Sequence, residues 1–383
     1  MSTQRIGLVL GGGGLKGFAH LGVLRAIEER GITPTVFAGS SIGALIASAY
    51  VLGHPLDDLI HRAETLRRSQ LFRLNRMQMV FERFRARSVY DEAPLRELVN
   101  AVIPEGKTFN DVDRPLLVST VDAELGTQVV WGLPGLRDVS IRDAVYASCA
   151  LPGAFPPGEV GGRTCIDGGV IDNLPVAITG LNADALIAVD VGNSDLSNPR
   201  SVTGQGFFNV YMRAATIMMH FLQEEPLKHW NGPPMILMRP RISHLGWFNF
   251  GETHELISEG YRSAVEALES IEAWGSAKGG IFPRRAVQVD VDQEKCTGCG
   301  MCVALAPTLM HLDRNNKAYC TMRVAHWTPA DGDFVRHCPT NAIVTRRIEP
   351  RINVPVMPQP GVLDPGSGTP ANEGQDQLTA PAA

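Results

Sequence analysis

One short stretch of this chain has the residue types and spacing that covalent catalysis needs. Residues 39–43 read Gly-Ser-Ser-Ile-Gly, which matches the pattern Gly-x-Ser-x-Gly. An apolar run precedes the stretch and another follows it, so it lies between a predicted strand and a predicted helix. In that context the serine occupies a sharp turn with its hydroxyl exposed, and the first N–H groups of the helix face the point where negative charge develops. The pentapeptide alone is a weak signal, and a turn before a buried helix is the alternative.

A second set of chemically competent residues is a group of cysteines near the end of the chain. Cys296, Cys299 and Cys302 are spaced Cys-x2-Cys-x2-Cys, and Cys338 is followed by Pro339. This spacing is typical of ferredoxin-type iron–sulfur clusters, whereas structural zinc sites use separated pairs, so zinc is the minor alternative. In two-cluster ferredoxins the run continues with a further Cys-Pro, but here that position is Ala306-Pro307. The sequence therefore predicts one [4Fe–4S] cluster with these four cysteines as ligands, and it predicts that the other thiols are free.

A glycine-rich loop precedes the serine stretch. Residues 12–17 read Gly-Gly-Gly-Leu-Lys-Gly and follow a predicted strand at residues 5–10. A dinucleotide site with this Gly-x-Gly-x-x-Gly pattern requires an acidic residue at the end of the second strand, and that strand ends in Gly39-Ser40 instead. The remaining use of the loop is to aim N–H groups at an oxyanion. The loop and the serine turn both belong at the carboxyl edge of a parallel sheet, where α/β proteins build their sites.

A candidate base follows a later strand. Asp167 precedes Gly168 and Gly169, and such a turn presents the carboxylate, although an aspartate that only stabilises its own turn is the common alternative. A fixed and partly desolvated carboxylate can accept the proton of a serine hydroxyl. The rival hydrolase arrangement needs a histidine after the acid. Four histidines, which we expect to be structural or exposed, satisfy that order: His220, His229, His244 and His254. We expect Asp122 and Asp172 to have turn or supporting roles.

In this order the three motifs resemble the patatin-like phospholipase family, over about residues 5–270. The resemblance implies a Ser–Asp dyad in which Ser41 is the nucleophile and Asp167 the base. It also implies an oxyanion hole formed by the N–H groups of Gly12, Gly13 and Gly14. The other motif glycines are Gly17, Gly39, Gly43, Gly168 and Gly169. Lys16 occupies a position that is basic in the family, and we expect a surface cation there.

The chain is long enough for one large and one small domain. We predict a patatin-like α/β/α hydrolase domain with a parallel sheet at residues 5–274, a linker at 275–284, a small α+β ferredoxin-like domain at 285–347 and a disordered tail at 348–383. Residues 207–222 are predicted to form an apolar helix, which we expect to be buried in the core; the alternative is that it lines an acyl pocket.

The charge and the apolar runs of the chain indicate which kinds of partner it can have. A net charge of −5 predicts no nucleic-acid partner, and without an export signal or a bilayer-spanning run we expect a cytoplasmic protein. Residues 67–87 combine seven arginines with apolar side chains. They could contact an anionic membrane surface peripherally or form an internal cap.

The sequence thus predicts a lipid acyl hydrolase, acting on a lipid or another ester, with a [4Fe–4S] module for electron transfer to a redox partner protein. The alternative is a redox-regulatory or electron-transfer protein whose hydrolase-like domain mainly binds lipid. A third possibility is a cluster that only stabilises the second domain.

Overall fold

The computed structural model describes residues 4–73, 88–192, 206–242, 244–247, 250–322, 324–348 and 357. Most of the predicted tail and residues 74–87 of the basic segment lie outside these ranges, so the tail and membrane-contact predictions stay predictions. The described α-helices are α1 (Ala19–Glu29), α2 (Ile42–Val51), α3 (Leu56–Thr65), α4 (Ala93–Asn100), α5 (Ile141–Ser148), α6 (Val176–Gly180), α7 (Phe207–Lys228), α8 (Thr253–Leu268), α9 (Ile271–Ser276), α10 (Met301–Leu305) and α11 (Asp333–Arg336).

The described strands form three sheets. They are β1 (Ile6–Leu10), β2 (Val36–Ser40), β3 (Leu116–Asp122), β4 (Thr127–Trp131), β5 (Gly158–Val160), β6 (Arg163–Asp167), β7 (Ala185–Val189), β8 (Met235–Met238), β9 (Ile281–Phe282), β10 (Arg285–Val291), β11 (Met310–Leu312), β12 (Ala318–Cys320), β13 (Val324–Trp327) and β14 (Ile343–Arg347).

The largest sheet has a parallel centre, as the apolar runs predict. Strands β3, β2, β1, β7, β8 and β9 are parallel neighbours in that order, while β4 and β6 run antiparallel to β3, and β5 antiparallel to β6. The central strands are buried along their whole length because helices cover both faces. The edge strand β9 lies within the segment predicted to be a linker and pairs with β8.

Two glycines let the helices α1 and α8 cross closely on one face. A Cβ at Gly22 would lie 1.9 Å from the Ile257 carbonyl oxygen, and one at Gly260 would lie 1.9 Å from that of Ala19. Any side chain at either position would therefore push the helices apart. This packing holds α1, and with it the glycine-rich loop, against the sheet.

The register of β3 brings the predicted nucleophile and base together. Strand β4 pairs with residues 118–122 of β3, so the two other partners of β3 must share its opposite edge. Along that edge Ser40 of β2 lies opposite Ser119, and Asp167 of β6 lies opposite Thr120. The ends of β2 and β6 therefore meet at consecutive positions of one strand.

The second unit has the small α+β architecture that the sequence predicts. Its three-stranded antiparallel sheet has the order β13–β10–β14, so the first and last strands of this unit, β10 and β14, pair directly. A separate apolar cluster that includes Val289, Met310 and Phe334 forms its core.

Helix α7 is longer and less buried than predicted. It is described over 22 residues, and Met218, Phe221 and Leu222 are exposed while Met219 is buried. The prediction of a buried helix is wrong for this stripe, because only one side of α7 lies against the sheet domain. None of the described helices qualifies by length and apolarity as a transmembrane span.

Candidate active site and cysteine site

The serine turn has a strained backbone. Ser41 lies between β2 and α2 with φ 53° and ψ −129°, a region that non-glycine residues rarely adopt. The flanking glycines make the turn possible. A Cβ at Gly43 would lie 2.0 Å from the Leu10 carbonyl oxygen, and one at Gly39 would lie 2.5 Å from the Ala44 nitrogen.

Ser148 fixes this turn to the sheet. The Ser41 N–H donates to Ser148 Oγ (2.8 Å), and the Ser148 hydroxyl donates to the Ser119 carbonyl of β3 (2.7 Å). Ser148 is fully buried at the end of α5. The strained conformation is therefore held by hydrogen bonds from an element more than one hundred residues away in sequence.

The glycine-rich loop lies beside the serine, as predicted, but its N–H groups have different roles. The Gly12 N–H donates to the Asn173 carbonyl oxygen (3.1 Å), so this donor is engaged, contrary to its predicted place in the oxyanion hole. Neither Gly13 nor Gly14 donates its N–H to a carbonyl in the described part of the chain, and both line the cavity next to Ser41. These two glycines remain the predicted oxyanion donors.

His20 supports the loop from behind. Its Nε2 lies 2.8 Å from the Gly11 carbonyl oxygen, and burial lowers the pKa of the imidazole to about 4, although the hydrogen bond to Gly11 opposes the shift. The ring is therefore neutral at pH 7 and donates through Nε2. His20 is thus a fully buried residue of α1.

Asp167 is a buried carboxylate that lines the same cavity as the serine. It is 3% exposed, and its Oδ1 accepts the Gly169 N–H (2.8 Å). Burial raises its pKa to about 7, against the opposing hydrogen bonds from the Gly169 N–H and the Ser41 hydroxyl. A carboxylate with this pKa is a far stronger base than an exposed aspartate.

Ser41 and Asp167 open into a small apolar cavity. It has a volume of about 70 Å³ and lies between the glycine loop, α2, α7 and the segment around residue 150. Its apolar lining is contributed by Leu15, Phe18, Ile42, Leu45, Leu71, Phe72, Leu95, Leu98, Leu151, Phe155, Met219 and Trp247.

Cys149 also lines this cavity. Burial and the neighbouring Asp167 carboxylate raise the pKa of its thiol, and the opposing influence of the Ser41 hydroxyl is smaller, so the thiol stays neutral. No described histidine lines this cavity, so the Ser–Asp–His alternative finds no partner there.

The rival residues lie elsewhere. Asp122 caps a turn through the N–H groups of Glu124 and Leu125, and Asp172 accepts from Gln128 Nε2 (3.0 Å), which are the turn and supporting roles expected. Three of the histidines considered, His229, His244 and His254, form exposed pairs with glutamates. The prediction for Lys16 is wrong, because this lysine is 1% exposed in the tight turn of residues 14–18.

The sequence analysis did not predict that three further residues belong to the site: Ser148, Cys149 and Asn173. Asn173 Nδ2 donates to the Gly12 carbonyl (3.0 Å) and to Gln223 Oε1 of α7 (2.9 Å). The only sequence signal was the stretch Ile171–Val176 after the Asp-Gly-Gly turn. Nothing local in that stretch indicates contact with a loop 161 residues earlier.

The four predicted cluster cysteines line one cavity in the second unit. Val291, Leu312, Ala342 and Ile343 form its apolar wall. Gly298 (φ 71°) and Gly300 (φ 73°) provide the left-handed turns between the cysteines. Within the described ranges, no group of three or more His, Cys, Asp or Glu side chains is arranged to hold a metal ion as placed.

These residues fit an iron–sulfur cluster on two grounds. First, all four cysteines line one apolar cavity, and cluster ligands are cysteines of this spacing. Second, backbone N–H groups already point at the sulfurs: Ala318 donates to Cys296 Sγ (3.4 Å) and Ala342 to Cys338 Sγ (3.2 Å). Burial alone would raise the pKa of Cys338, but hydrogen bonds from Ala342 and its neighbours outweigh it and lower that pKa, which favours the thiolate ligand.

Cys338→Ala should abolish stable cluster binding, because it removes the one distant ligand. We expect the purified variant to lose the broad visible absorption and the iron content of the wild type. Cys320→Ala is the matched control, since Cys320 lies in β12 outside the ligand spacing and should leave both unchanged. Equal iron content in the two variants would contradict this ligand assignment.

Two regions of the chain match known protein families. Residues 8–179 match the family model of the patatin-like phospholipases, and residues 289–345 match that of the 4Fe-4S single cluster domains. An uncharacterized NTE family protein of Mycobacterium tuberculosis is 36% identical over 202 residues, which are 52% of this chain and 52% of that protein. The chain thus matches about half the length of this relative.

More distant proteins cover less of their own length or share less sequence. The lysophospholipase NTE1 of Mycosarcoma maydis is 28% identical over 309 residues, 72% of this chain and 15% of that protein. Among solved structures, VipD from Legionella pneumophila aligns with 70% of this chain and 67% of its own, at 16% identity and a TM-score of 0.37. By the two family models, residues 8–179 of this chain form a patatin-like phospholipase domain, and residues 289–345 form a 4Fe-4S single cluster domain.

Proposed function

We propose that this chain is a lipid acyl hydrolase that forms an acyl-enzyme on Ser41, with Asp167 as the base. The observation that carries the proposal is that Ser41 lines one apolar cavity together with the buried Asp167 carboxylate, whose pKa burial raises to about 7. A serine hydroxyl becomes a competent nucleophile only when an adjacent base accepts its proton. A carboxylate with a pKa near neutrality can accept that proton and return it at physiological pH.

The reaction divides into two steps. In the first, Ser41 Oγ attacks the ester carbonyl while its proton moves to Asp167, and the leaving alcohol then takes that proton. In the second, water hydrolyses the acyl-enzyme with Asp167 again as base. The negative oxygen of each tetrahedral intermediate would face the Gly13 and Gly14 N–H groups, and one such donor contributes roughly 3–4 kcal/mol.

The surroundings of Ser41 support an apolar acyl group. A second cavity of about 400 Å³ adjoins the catalytic one and shares Phe18, Ile42, Leu45 and Leu98 with it. Its wall follows one face of α2 through Ile42, Leu45, Ile46 and Ala49, which recur at helical spacing from the nucleophile onward. The matching family is described as patatin-like phospholipases, and one relative is named a lysophospholipase. Both names support a lipid ester as the substrate.

A serine-directed fluorophosphonate probe tests the proposal. We expect it to label wild-type protein at Ser41, identified by mass spectrometry of peptides, and to leave Ser41→Ala unlabelled. Hydrolysis of p-nitrophenyl esters and of monoacyl phospholipids should be lost in the same variant. Full ester hydrolysis by Ser41→Ala would refute the assignment, provided that circular dichroism shows a folded protein.

The rate of hydrolysis should fall on the acid side with an apparent pKa of about 7. Only the ionised form of Asp167 can accept the serine proton, so kcat/KM should rise tenfold per pH unit below that pKa and level off above it. A pH profile of initial rates measures this limb. If the rate is constant from pH 5 to 8, Asp167 does not act as the base with the shift that its burial implies.

We further propose that the four cysteines bind one [4Fe–4S] cluster, which would supply reversible one-electron chemistry when bound. Cys299 is exposed, so a cluster at this site would lie near the surface, where a redox partner protein could approach. Hydrolysis by the holoprotein, measured before and after reduction by dithionite, separates the possibilities. A rate that changes reversibly favours redox control, and a constant rate in a protein that unfolds on cluster loss favours a stabilising cluster.

A further inference from the structure

Asn173 places an unused acceptor inside the catalytic cavity. The side chain is 4% exposed and lines the cavity together with Ser41 and Asp167. Both of its Nδ2 bonds, to Gly12 and Gln223, are satisfied, and they determine the orientation of the amide. No donor among the described residues bonds to the buried Oδ1. A buried amide oxygen without a partner costs about 1–3 kcal/mol, so it calls for an explanation.

This oxygen lies close to both catalytic side chains. A Cβ on Gly12 would lie 2.3 Å from Asn173 Oδ1 and 3.0 Å from Ser41 Cβ. A Cβ on Gly169 would lie 2.7 Å from Asn173 Oδ1 and 3.1 Å from Asp167 Oδ1. The two distances from each Cβ position add up to an upper limit for the separation of the two atoms. Asn173 Oδ1 is therefore at most about 6 Å from Asp167 Oδ1 and from Ser41 Cβ.

The missing side chain of Gly169 leaves this place for another group. The methyl end of Met219 occupies part of this place, at 2.5 Å from the same Cβ position. A methionine side chain has three rotatable bonds and can withdraw when an acyl group enters the cavity. Two acceptors at this separation suit one water molecule, which has two hydrogens to donate and needs two or more polar partners when buried.

We infer that Asn173 is a catalytic residue for the second step, in which its Oδ1 and the Asp167 carboxylate together hold the water that hydrolyses the acyl-enzyme. The inference rests on the proposed acyl-enzyme at Ser41. The water oxygen bonds to the acyl carbon while one of its protons moves to Asp167; Asn173 accepts the other hydrogen as a hydrogen bond and takes no proton. The tetrahedral intermediate then breaks its bond to Ser41 Oγ, which regains the proton from Asp167, and a free carboxylic acid leaves.

The test compares acylation with deacylation in one experiment. Full-length protein is mixed with a p-nitrophenyl ester; the burst of nitrophenol gives the acylation rate, and intact-protein mass spectrometry gives the fraction acylated at steady state. We expect Asn173→Ala to lower the deacylation rate about tenfold relative to acylation, so that the acyl-enzyme accumulates. Gly169→Ala should give the same imbalance, because its methyl group fills the space between the two oxygens.

Gln223→Met is the matched control. It removes the partner of Asn173 Nδ2 and leaves Oδ1 in place, so it should slow both steps equally and keep the acylated fraction at the wild-type value. If Asn173→Ala behaves like this control, or if Gly169→Ala deacylates at the wild-type rate, Asn173 only supports the glycine loop and the inference is wrong. If wild-type Ser41 is never acylated, the proposed function itself fails and the inference with it.

Discussion

Asp167→Asn should lower kcat for ester hydrolysis by about 10³-fold, within the range that general-base catalysis contributes. The amide has the shape of the carboxylate, and its oxygen can still accept the Gly169 N–H. What it lacks is the capacity to take a proton from Ser41. The loss should therefore fall on kcat rather than on substrate affinity, and steady-state kinetics with a p-nitrophenyl ester and with a monoacyl phospholipid measures both terms.

Asp172→Asn is the matched control for this experiment. Asp172 is close in sequence and burial also raises its pKa, but its carboxylate bonds to Gln128 and does not line the catalytic cavity. We expect its kcat to stay within a few-fold of wild type. A wild-type kcat in Asp167→Asn, or an equal loss in the two variants, would refute the assignment of the base.

The parts of the site that the sequence predicts are those with local signatures. A serine between small residues, a run of glycines and an aspartate before two glycines each imply a backbone shape, and the shape indicates the chemistry. The meeting of the first two follows from the parallel sheet, whose carboxyl edge gathers the ends of β1 and β2. The aspartate joins them from β6, which runs antiparallel to β3. The cysteine spacing is local in the same sense.

The parts that the sequence does not predict depend on register. Ser148 reaches Ser41 because its hydroxyl donates to the Ser119 carbonyl of β3, and Ser119 lies opposite Ser40. Asn173 reaches Gly12 because the segment after Asp167 returns to the glycine loop. Neither contact has a pattern in the sequence, since the partners are more than one hundred residues apart. Lys16 shows a different kind of error. Its charge predicts an exposed side chain, but the tight turn in which it lies buries that side chain.

The two units also meet at a residue with no sequence signature, Arg239. It follows β8, is 9% exposed, and donates to Asp190 Oδ2 (2.8 Å) and to Glu224 of α7 (2.5 Å). Its third contact is the Pro329 carbonyl of the second unit (2.6 Å). One buried guanidinium therefore joins the sheet, the helix that carries Met219 to the catalytic cavity, and the domain that carries the cysteines.

Arg239→Met should cost about 3–5 kcal/mol of unfolding free energy at pH 7, because it leaves two buried carboxylates without their cation. Methionine is unbranched and apolar, so the loss reports the charge more than the volume. Urea denaturation measures this loss of unfolding free energy. Unfolding is followed separately by far-ultraviolet circular dichroism and by cluster absorbance, since two domains need not unfold in one transition.

The matched control is Arg241→Met, whose partly exposed ion pair with Glu266 should contribute less than about 1 kcal/mol. Similar small losses in both variants would mean that Asp190 and Glu224 are adequately compensated by other groups, and that Arg239 is not what stabilises the contact between the hydrolase domain and the cysteine-bearing domain.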